Sequence, residues 1–518
     1  MATPEVLNLQ EAAEFVRVSP KTLREKARAK TVPAQRVGRE WRFLKKALEE
    51  WLAGADTGGA GSGSVEESPG QMYLSSAPRV KRPAKAGFGD TAFTRNRAEP
   101  MHSWVPWIAG FSAAFVGEIL DRELEQVDTL TLLDPFAGVG TTLVEGVLRG
   151  CDSYGFEINP YASLACEVKL HSLKRDAEGI CDLARKLDER LREQLEDPRA
   201  EPESEPPAGF RTRDPFYSPE VERQVLFVVD FIDRMEDPRD KRLLKLALGA
   251  VMVGVSNYSY EPSLGRRVSA GKAPILDADV PKILRDKLDA MARDIESLRP
   301  TYGNRLSAVE SRIFTESFLE HGAARLGKGG IDVLITSPPY LNNYHYVRNT
   351  RPQMFWLGFA DEASDLRDLA ESSFGKFWQT VRSEPEISLS FDYPELEEKL
   401  AFVRSLNTEK GAYGGPGWAN YAATYFNDCR RFCEEAAAVM RPGGLVVVVI
   451  GNNILQGVEF KTDQFFAHIA EKAGFDVLEL HRVRKKRTGS SIVNSSVRAG
   501  TTKKKTELYE TAVELRRQ

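Results

Sequence analysis

"TLTLLDPFAGVGTTLVEGVLRG", residues 129–150, decides the fold. Leu130 to Leu133 read as a short buried strand, and Asp134-Pro135 ends it, because proline has no amide hydrogen to continue a ladder. Phe136 to Gly140 make a glycine-containing turn, and from Thr141 the apolar spacing turns helical. Strand, glycine turn and helix form the unit of an open α/β sheet, which binds ligands at the carboxyl ends of its strands. Glycines there admit close approach of a ligand to the backbone, and the helix N-terminus offers free N–H donors. A lone Gly-x-Gly is weak on its own, and no Walker lysine follows to make a P-loop. The next strand, "SYGFEIN" (153–159), brings Glu157 seventeen residues after Gly140. A carboxylate at that distance suits both hydroxyls of a ribose.

A second stretch is "IDVLITSPPYLNNYHYVRN" (331–349). Ile331 to Ile335 read as a strand, and Pro338-Pro339 stop it with a fixed φ, leaving Tyr340 at the tip. Taken alone this is a tight loop with a packed tyrosine.

Bulk properties bound the rest. A chain of 518 residues suggests two or three domains, and 42% apolar with 28% charged residues is a globular composition. No apolar run reaches the roughly 18–20 residues of a membrane span, and "MATPEVLNLQ" has no signal-peptide pattern, so a cytoplasmic protein is expected. Five cysteines without regular spacing fit reduced thiols. Cys429 and Cys433, four apart on a helix, lack partner ligands and read as core thiols, and the six histidines show no zinc spacing, so no metal is expected. The net charge of −4 argues against a wholesale polyanion binder, yet residues 1–52 carry 11 Lys+Arg against 7 Asp+Glu.

That basic segment reads as helix, break at Val18-Ser19-Pro20, second helix with Ser19 as N-cap, β-ribbon over "VPAQRVGREWRF" and helix "LKKALEEWL". Residues 7–52 closely resemble the excisionase-like, MerR-related helix-turn-helix module. The resemblance implies double-stranded DNA as partner, with Ser19, Lys21, Thr22, Arg24 and Arg28 facing the major groove and Arg36, Arg39 and Arg42 at the wing. "AGADTGGAGSGSVEESPG" then reads as a flexible tether. The expected layout is a DNA-binding module over 1–53, a linker over 54–88 and a catalytic domain over 89–518, with a mostly helical insertion at about 195–305.

"DPFAGVGTT", "GFEINP" and "TSPPY" together resemble the amino-group DNA methyltransferases, over residue 89 to the C-terminus. The resemblance implies an α/β, Rossmann-like fold, its mostly parallel sheet closed by an antiparallel last strand, and S-adenosyl-L-methionine (SAM) as cofactor. "MRPGGLVVVVIGNN" fits the fifth strand, and "FDVLELHRV" with "TELYETAVELRR" the final antiparallel pair. It further implies Gly138 and Gly140 at the methionine end of SAM, Glu157 on the ribose, and Asp134, Phe136 and Thr141 shaping the pocket. Glu316 and Ser317 stand where a third adenosine contact is expected, and "MHSWVPWIAGFSAAFV" where a SAM-lining segment is. Ser337, Pro338, Pro339 and Tyr340 would be catalytic: the Ser337 hydroxyl and Pro338 carbonyl accept hydrogens from an exocyclic amine, and Tyr340 stacks on the flipped base.

Two basic patches are candidate DNA contacts. Arg266 and Arg267 follow the aromatic "SNYSYEPSLG", with Lys272 close behind, and His481 to Lys505 carries nine Lys+Arg, Arg484, Lys485, Lys486 and Arg487 among them, with no acid. Methylation at cytosine carbon-5 needs a cysteine nucleophile, and no cysteine here has the expected proline context. Family members with Ser before Pro-Pro mostly methylate cytosine N4, which makes that amine the expected target and adenine N6 the alternative. An RNA or protein amine methyltransferase, and a DNA-binding regulator with an inactive domain, are the remaining readings. A cognate restriction or defence nuclease is a partner consistent with the resemblance.

Overall fold

The computed structural model describes residues 6–16, 18–28, 32–37, 40–45, 47–48, 93–107, 110–260, 263–306, 308–341, 346–485 and 507–518. The chain divides into two compact units, Met1–Pro83 and Ala84–Gln518.

In the first unit, helix Leu9–Phe15 starts at Asn8, whose side chain accepts from the Gln10 and Glu11 amides while Glu11 accepts from the Asn8 amide. Helix Pro20–Arg28 starts at Ser19 as expected, the hydroxyl accepting from Thr22 N at 3.1 Å. Strands Gln35–Val37 and Glu40–Leu44 form the ribbon, and a short strand Val6–Leu7, not anticipated from sequence, pairs with Leu44 and Phe43. Ala12, Ala13, Leu23, Ala27, Val32, Phe43 and Leu48 make its core. The helix expected over "LKKALEEWL" falls largely outside the described residues, and the tether wholly so.

The second unit is built on seven strands: β1 (Thr131–Asp134), β2 (Asp152–Phe156), β3 (Ser311–Phe314), β4 (Ile331–Thr336), β5 (Met440–Gly451), β6 (Phe475–Lys485) and β7 (Tyr509–Arg517). Their order in the sheet is β6-β7-β5-β4-β1-β2-β3. All neighbours are parallel except β7, which runs antiparallel to both β5 and β6. The expected reversed last strand is present, inserted inside the sheet. Because strand side chains alternate, Leu132, Val333, Ile335, Val447 and Val449 face helix Ala113–Leu124. Leu133, Leu334, Val446, Val448 and Ile450 face helix Gly415–Val439 on the other side. Burial on both faces explains the continuous apolar runs in β4 and β5.

Sequence order reverses direction between β1 and β4, which makes their carboxyl ends the switch point where open α/β sheets form their crevice. The helical insertion lies between β2 and β3, with helices Pro219–Asp233, Pro238–Val251 and Val280–Leu306 and a hairpin Tyr258–Tyr260/Leu264–Arg266. A second helical stretch, Tyr346 to Tyr413 between β4 and β5, was not read from the sequence.

Candidate active site

Two loops meet at the switch point. After β1, Gly138 (φ +52°) and Gly140 (φ +83°) take the left-handed conformation that only glycine adopts freely. A Cβ on Gly140 would stand 2.7 Å from Cys166 Sγ, so helix Pro160–Ser172 presses the turn from beneath. Ala137 N donates to Phe156 O at 2.9 Å, clipping the turn to the end of β2. Lys169, fully buried, donates from Nζ to Val139 O at 2.8 Å and holds it from below. Burial pulls the Lys169 amine down to about 7. The sequence reading missed Lys169, since a lysine in an ordinary helix reads as a surface residue.

Glu157 follows β2 and accepts Gly138 N at 2.9 Å and Asn159 N at 2.7 Å, one on each carboxylate oxygen. Burial raises its carboxyl to about 7 against those two amides. Each oxygen keeps a further lone pair, so the group fits the two hydroxyls of a ribose. Asp134 accepts from Phe136 N at 3.1 Å and from the Thr336 hydroxyl at 2.6 Å, joining the ends of β1 and β4. Burial pushes Asp134 up to about 6. Phe136 packs edge-on against Phe374, and Thr141 is buried at the first turn of its helix. A cradle too tight for a Cβ and a buried carboxylate with spare lone pairs together fit SAM.

At the end of β3 stand Glu316, which pairs with Arg325, and Ser317, whose hydroxyl makes no capping bond to helix Phe318–Leu326. The upstream segment is also placed: His102 bonds Glu145 at 2.8 Å, Asp294 accepts from Met101 N and Trp104 Nε1, and the Trp107 ring lies against Gly138.

After β4, Ser337 and Pro339 are half-buried and Pro338 buried. Tyr340 is half-buried near Ser337 and Glu510, and burial, followed by the Glu510 charge, raises its hydroxyl well above its ordinary range. Glu510 stands on β7, within electrostatic reach of the Tyr340 hydroxyl. The half-buried Ser337 hydroxyl carries two lone pairs with which it can accept. Gly451 gives the Tyr340 ring room, since a Cβ there would lie 3.4 Å from Cδ2 and Cε2.

The candidate DNA contacts are more scattered. Ser19 and Thr22 are spent partly on each other, their hydroxyls 2.7 Å apart, and Arg24 is exposed. Lys21 and Arg28 lie on the second helix, and Arg42 donates to Trp41 O at 3.2 Å. Arg266 pairs with Asp214 at 3.0 Å, and Arg267 Nε donates to Ala273 O. Arg484 is exposed and stands 3.8 Å from Glu510, and Lys485 ends β6. Arg39, Lys486 and Arg487 lie outside the described residues. Cys429 and Cys433 are buried in the core, and among the described residues no group of three or more His, Cys, Asp or Glu could hold a metal. No described helix is long and apolar enough to cross a membrane.

Residues 6–56 match the helix-turn-helix domain family. Over most of its length the chain is similar to type II methyltransferases. It is 23% identical to M.BsoBI of Geobacillus stearothermophilus over 447 residues, 77% of this chain and 83% of that protein. It is 24% identical to M.AvaI of Nostoc sp. over 441 residues, 80% of this chain and 86% of that protein. A shorter match, 30% over 102 residues, joins it to M.MjaII of Methanocaldococcus jannaschii and covers 19% of each. Among solved structures, the rRNA methyltransferase aviRa from Streptomyces viridochromogenes aligns over 80% of this chain and 87% of its own at 12% identity and a TM-score of 0.28, too distant to carry an argument. Methyltransferase homology across about four fifths of the chain makes SAM the implied cofactor.

Proposed function

We propose that this chain is a site-specific DNA methyltransferase that transfers the methyl group of SAM to the exocyclic amine of a flipped base, cytosine N4 in the first instance. The placement of Ser337 to Tyr340 at the carboxyl end of β4, next to the glycine turn that follows β1, supports the reading. An aromatic amine is a poor nucleophile because its lone pair is delocalised into the ring. Accepting its hydrogens at Ser337 Oγ and the Pro338 carbonyl favours the pyramidal, nucleophilic form, and both acceptors are oriented before substrate arrives. Bound SAM supplies an electrophilic methyl on a positively charged sulfur. Gly138 and Gly140 would carry its methionine end and Glu157 its ribose, with Asp134, Phe136, Thr141 and Ser317 bordering the pocket.

The helix-turn-helix domain supports double-stranded DNA as partner, with Ser19, Lys21, Thr22, Arg24, Arg28, Arg39 and Arg42 as its contacts. Arg266, Arg267, Arg484, Lys485, Lys486 and Arg487 are the further phosphate contacts in this reading, which sets a module at 1–53, a linker at 54–88 and a catalytic domain from 89. Action in the cytoplasm alongside a cognate nuclease accords with the type II names of the relatives. Expression in a methylation-free host, followed by mass spectrometry of digested nucleosides, tests the reaction. N4-methylcytosine is the expected product. N6-methyladenine alone would overturn the base assignment, and the absence of both would overturn DNA as substrate.

A further inference from the structure

Residues 101–107 join the helical insertion to the glycine turn. At their far end the half-buried Trp107 ring stands against Gly138, where an added Cβ would meet Nε1 at 3.4 Å. At their near end one carboxylate oxygen, Asp294 Oδ2, accepts from Met101 N at 2.8 Å and from Trp104 Nε1 at 2.9 Å. Asp294 belongs to helix Val280–Leu306 of the insertion, 193 residues downstream of Met101. Leu284, Leu288, Met291 and Ile295 of that helix share one apolar cluster with Val144, Val147 and Leu148 of the helix that begins at Thr141. Close packing of the two helices fixes where Asp294 stands relative to the turn.

Both donors depend on an acceptor at that place. Trp104 is buried, and an indole N–H can only donate, so inside the core it must find an acceptor. Met101 is buried too and takes φ +62°, ψ −35°, a conformation that residues with side chains rarely hold. Such a residue stays there only where its surroundings fix it, and the Asp294 bond to its amide supplies part of that hold. Between the two, His102 bonds Glu145 on the helix after the turn at 2.8 Å. Lys287, two turns before Asp294, reaches Ser103 O at 3.5 Å. The segment is thus gripped by the insertion on one side and by the cofactor-turn helix on the other.

We infer that Asp294 is a positioning residue for the cofactor turn: by holding Met101 and Trp104 it sets Trp107 against Gly138, and it strengthens SAM binding through that ring. Gly138, at φ +52°, has other conformations open to it because it lacks a Cβ. The Trp107 ring on one side and the Glu157 bond to its amide on the other narrow that choice before a ligand arrives, which lowers the ordering cost of binding. The inference rests on SAM as the cofactor and is independent of which amine is methylated. It gives the insertion a part in cofactor binding that sheet and glycine turn alone do not supply.

The test is a double-mutant cycle of Asp294→Ala and Trp107→Ala in the full-length protein, read by calorimetric SAM affinity. Asp294→Ala is expected to bind SAM about tenfold more weakly, the worth of one hydrogen bond to a carboxylate. Trp107→Ala should weaken binding at least as much. The double variant should match Trp107→Ala within about twofold, because Asp294 then has no ring left to position. Asp294→Asn, whose amide oxygen can take both donors, should stay within about threefold of wild type. Unchanged SAM affinity in Asp294→Ala overturns the inference. So does a loss that adds in full to that of Trp107→Ala, the mark of general loosening, or an Asp294→Asn protein as weak as Asp294→Ala. Should Asp294→Ala fail to fold, Trp104→Phe takes its place, deleting one donor while keeping a ring. A loss that disappears in the Trp107→Ala background then supports the inference, and no loss, or an equal loss in both backgrounds, overturns it. Wild-type protein that binds no SAM would overturn the cofactor assignment and the inference together, whereas the other refuting outcomes leave that assignment standing.

Discussion

Gly140→Ala is the sharpest probe of the cofactor loop. At φ +83° an alanine gives up roughly 1–2 kcal/mol in the left-handed region. Its methyl would also stand 2.7 Å from Cys166 Sγ, 3.1 Å from Cys166 Cβ and 3.2 Å from Cys166 Cα. Overpacking of that kind costs about 1–3 kcal/mol. The two add to roughly 2–5 kcal/mol. The helix that begins at Thr141 is buried throughout, so the turn has no cheap direction of retreat. If the turn holds, the cost appears as a lower thermal midpoint; if it yields, the cost appears in SAM affinity, where about 2 kcal/mol is roughly thirtyfold. Midpoints with and without saturating SAM, together with calorimetric titration, separate these routes. Adding Cys166→Ala should recover the sulfur contact but not the backbone cost. A single variant with both midpoint and SAM affinity unchanged would refute the reasoning.

Ser337→Ala is expected to reduce single-turnover methyl transfer by about a hundredfold or more while leaving SAM affinity intact; equal losses in both would mean that Ser337 holds the cofactor. Glu510→Gln keeps the shape but removes the charge near the Tyr340 hydroxyl, so kcat should fall about tenfold with KM for SAM unchanged. Glu157, raised to about 7 from 4.5, and Asp134, raised to about 6 from 3.8, hold protons in the folded chain where the unfolded chain has lost them. Stability of the cofactor-free protein should therefore fall as pH rises through that window. The ionised Glu157 is the better acceptor for ribose hydroxyls, so SAM affinity should climb between about pH 6 and 8. Glu157→Gln should flatten the climb, which calorimetry across that range would check.

The turn after β1, Glu157 and the elbow after β4 were legible because their chemistry needs particular residue types in unbroken order. Glycines with positive φ, a carboxylate just past a strand and paired prolines each leave a local mark. Lys169 and Glu510 left none, since Lys169 reaches the glycine turn and Glu510 the neighbourhood of Tyr340 by tertiary packing. Glu510 is 170 residues downstream of Tyr340 and reads as a polar position in an ordinary strand. The stretch from Tyr346 to Tyr413 escaped notice for another reason: its helices run only 4 to 11 residues, too short for a periodicity to emerge. Of the basic run after His481, Arg482 and Arg484 are described and exposed; Arg482 lies over the Tyr509 ring and Arg484 stands 3.8 Å from a carboxylate on the neighbouring strand.

The position of β7 has a consequence for the order of assembly. β6 is joined to the rest of the sheet only through β7, and β5 keeps an open edge until β7 fills it. A ribosome extrudes residues 509–517 after the other six strands of this sheet, so β5 of the nascent chain carries an open apolar edge until they emerge. Glu510 arrives on that same strand. Sheet closure and the arrival of Glu510 near Tyr340 are therefore one event, and a chain interrupted before residue 509 would keep a sticky open edge on β5.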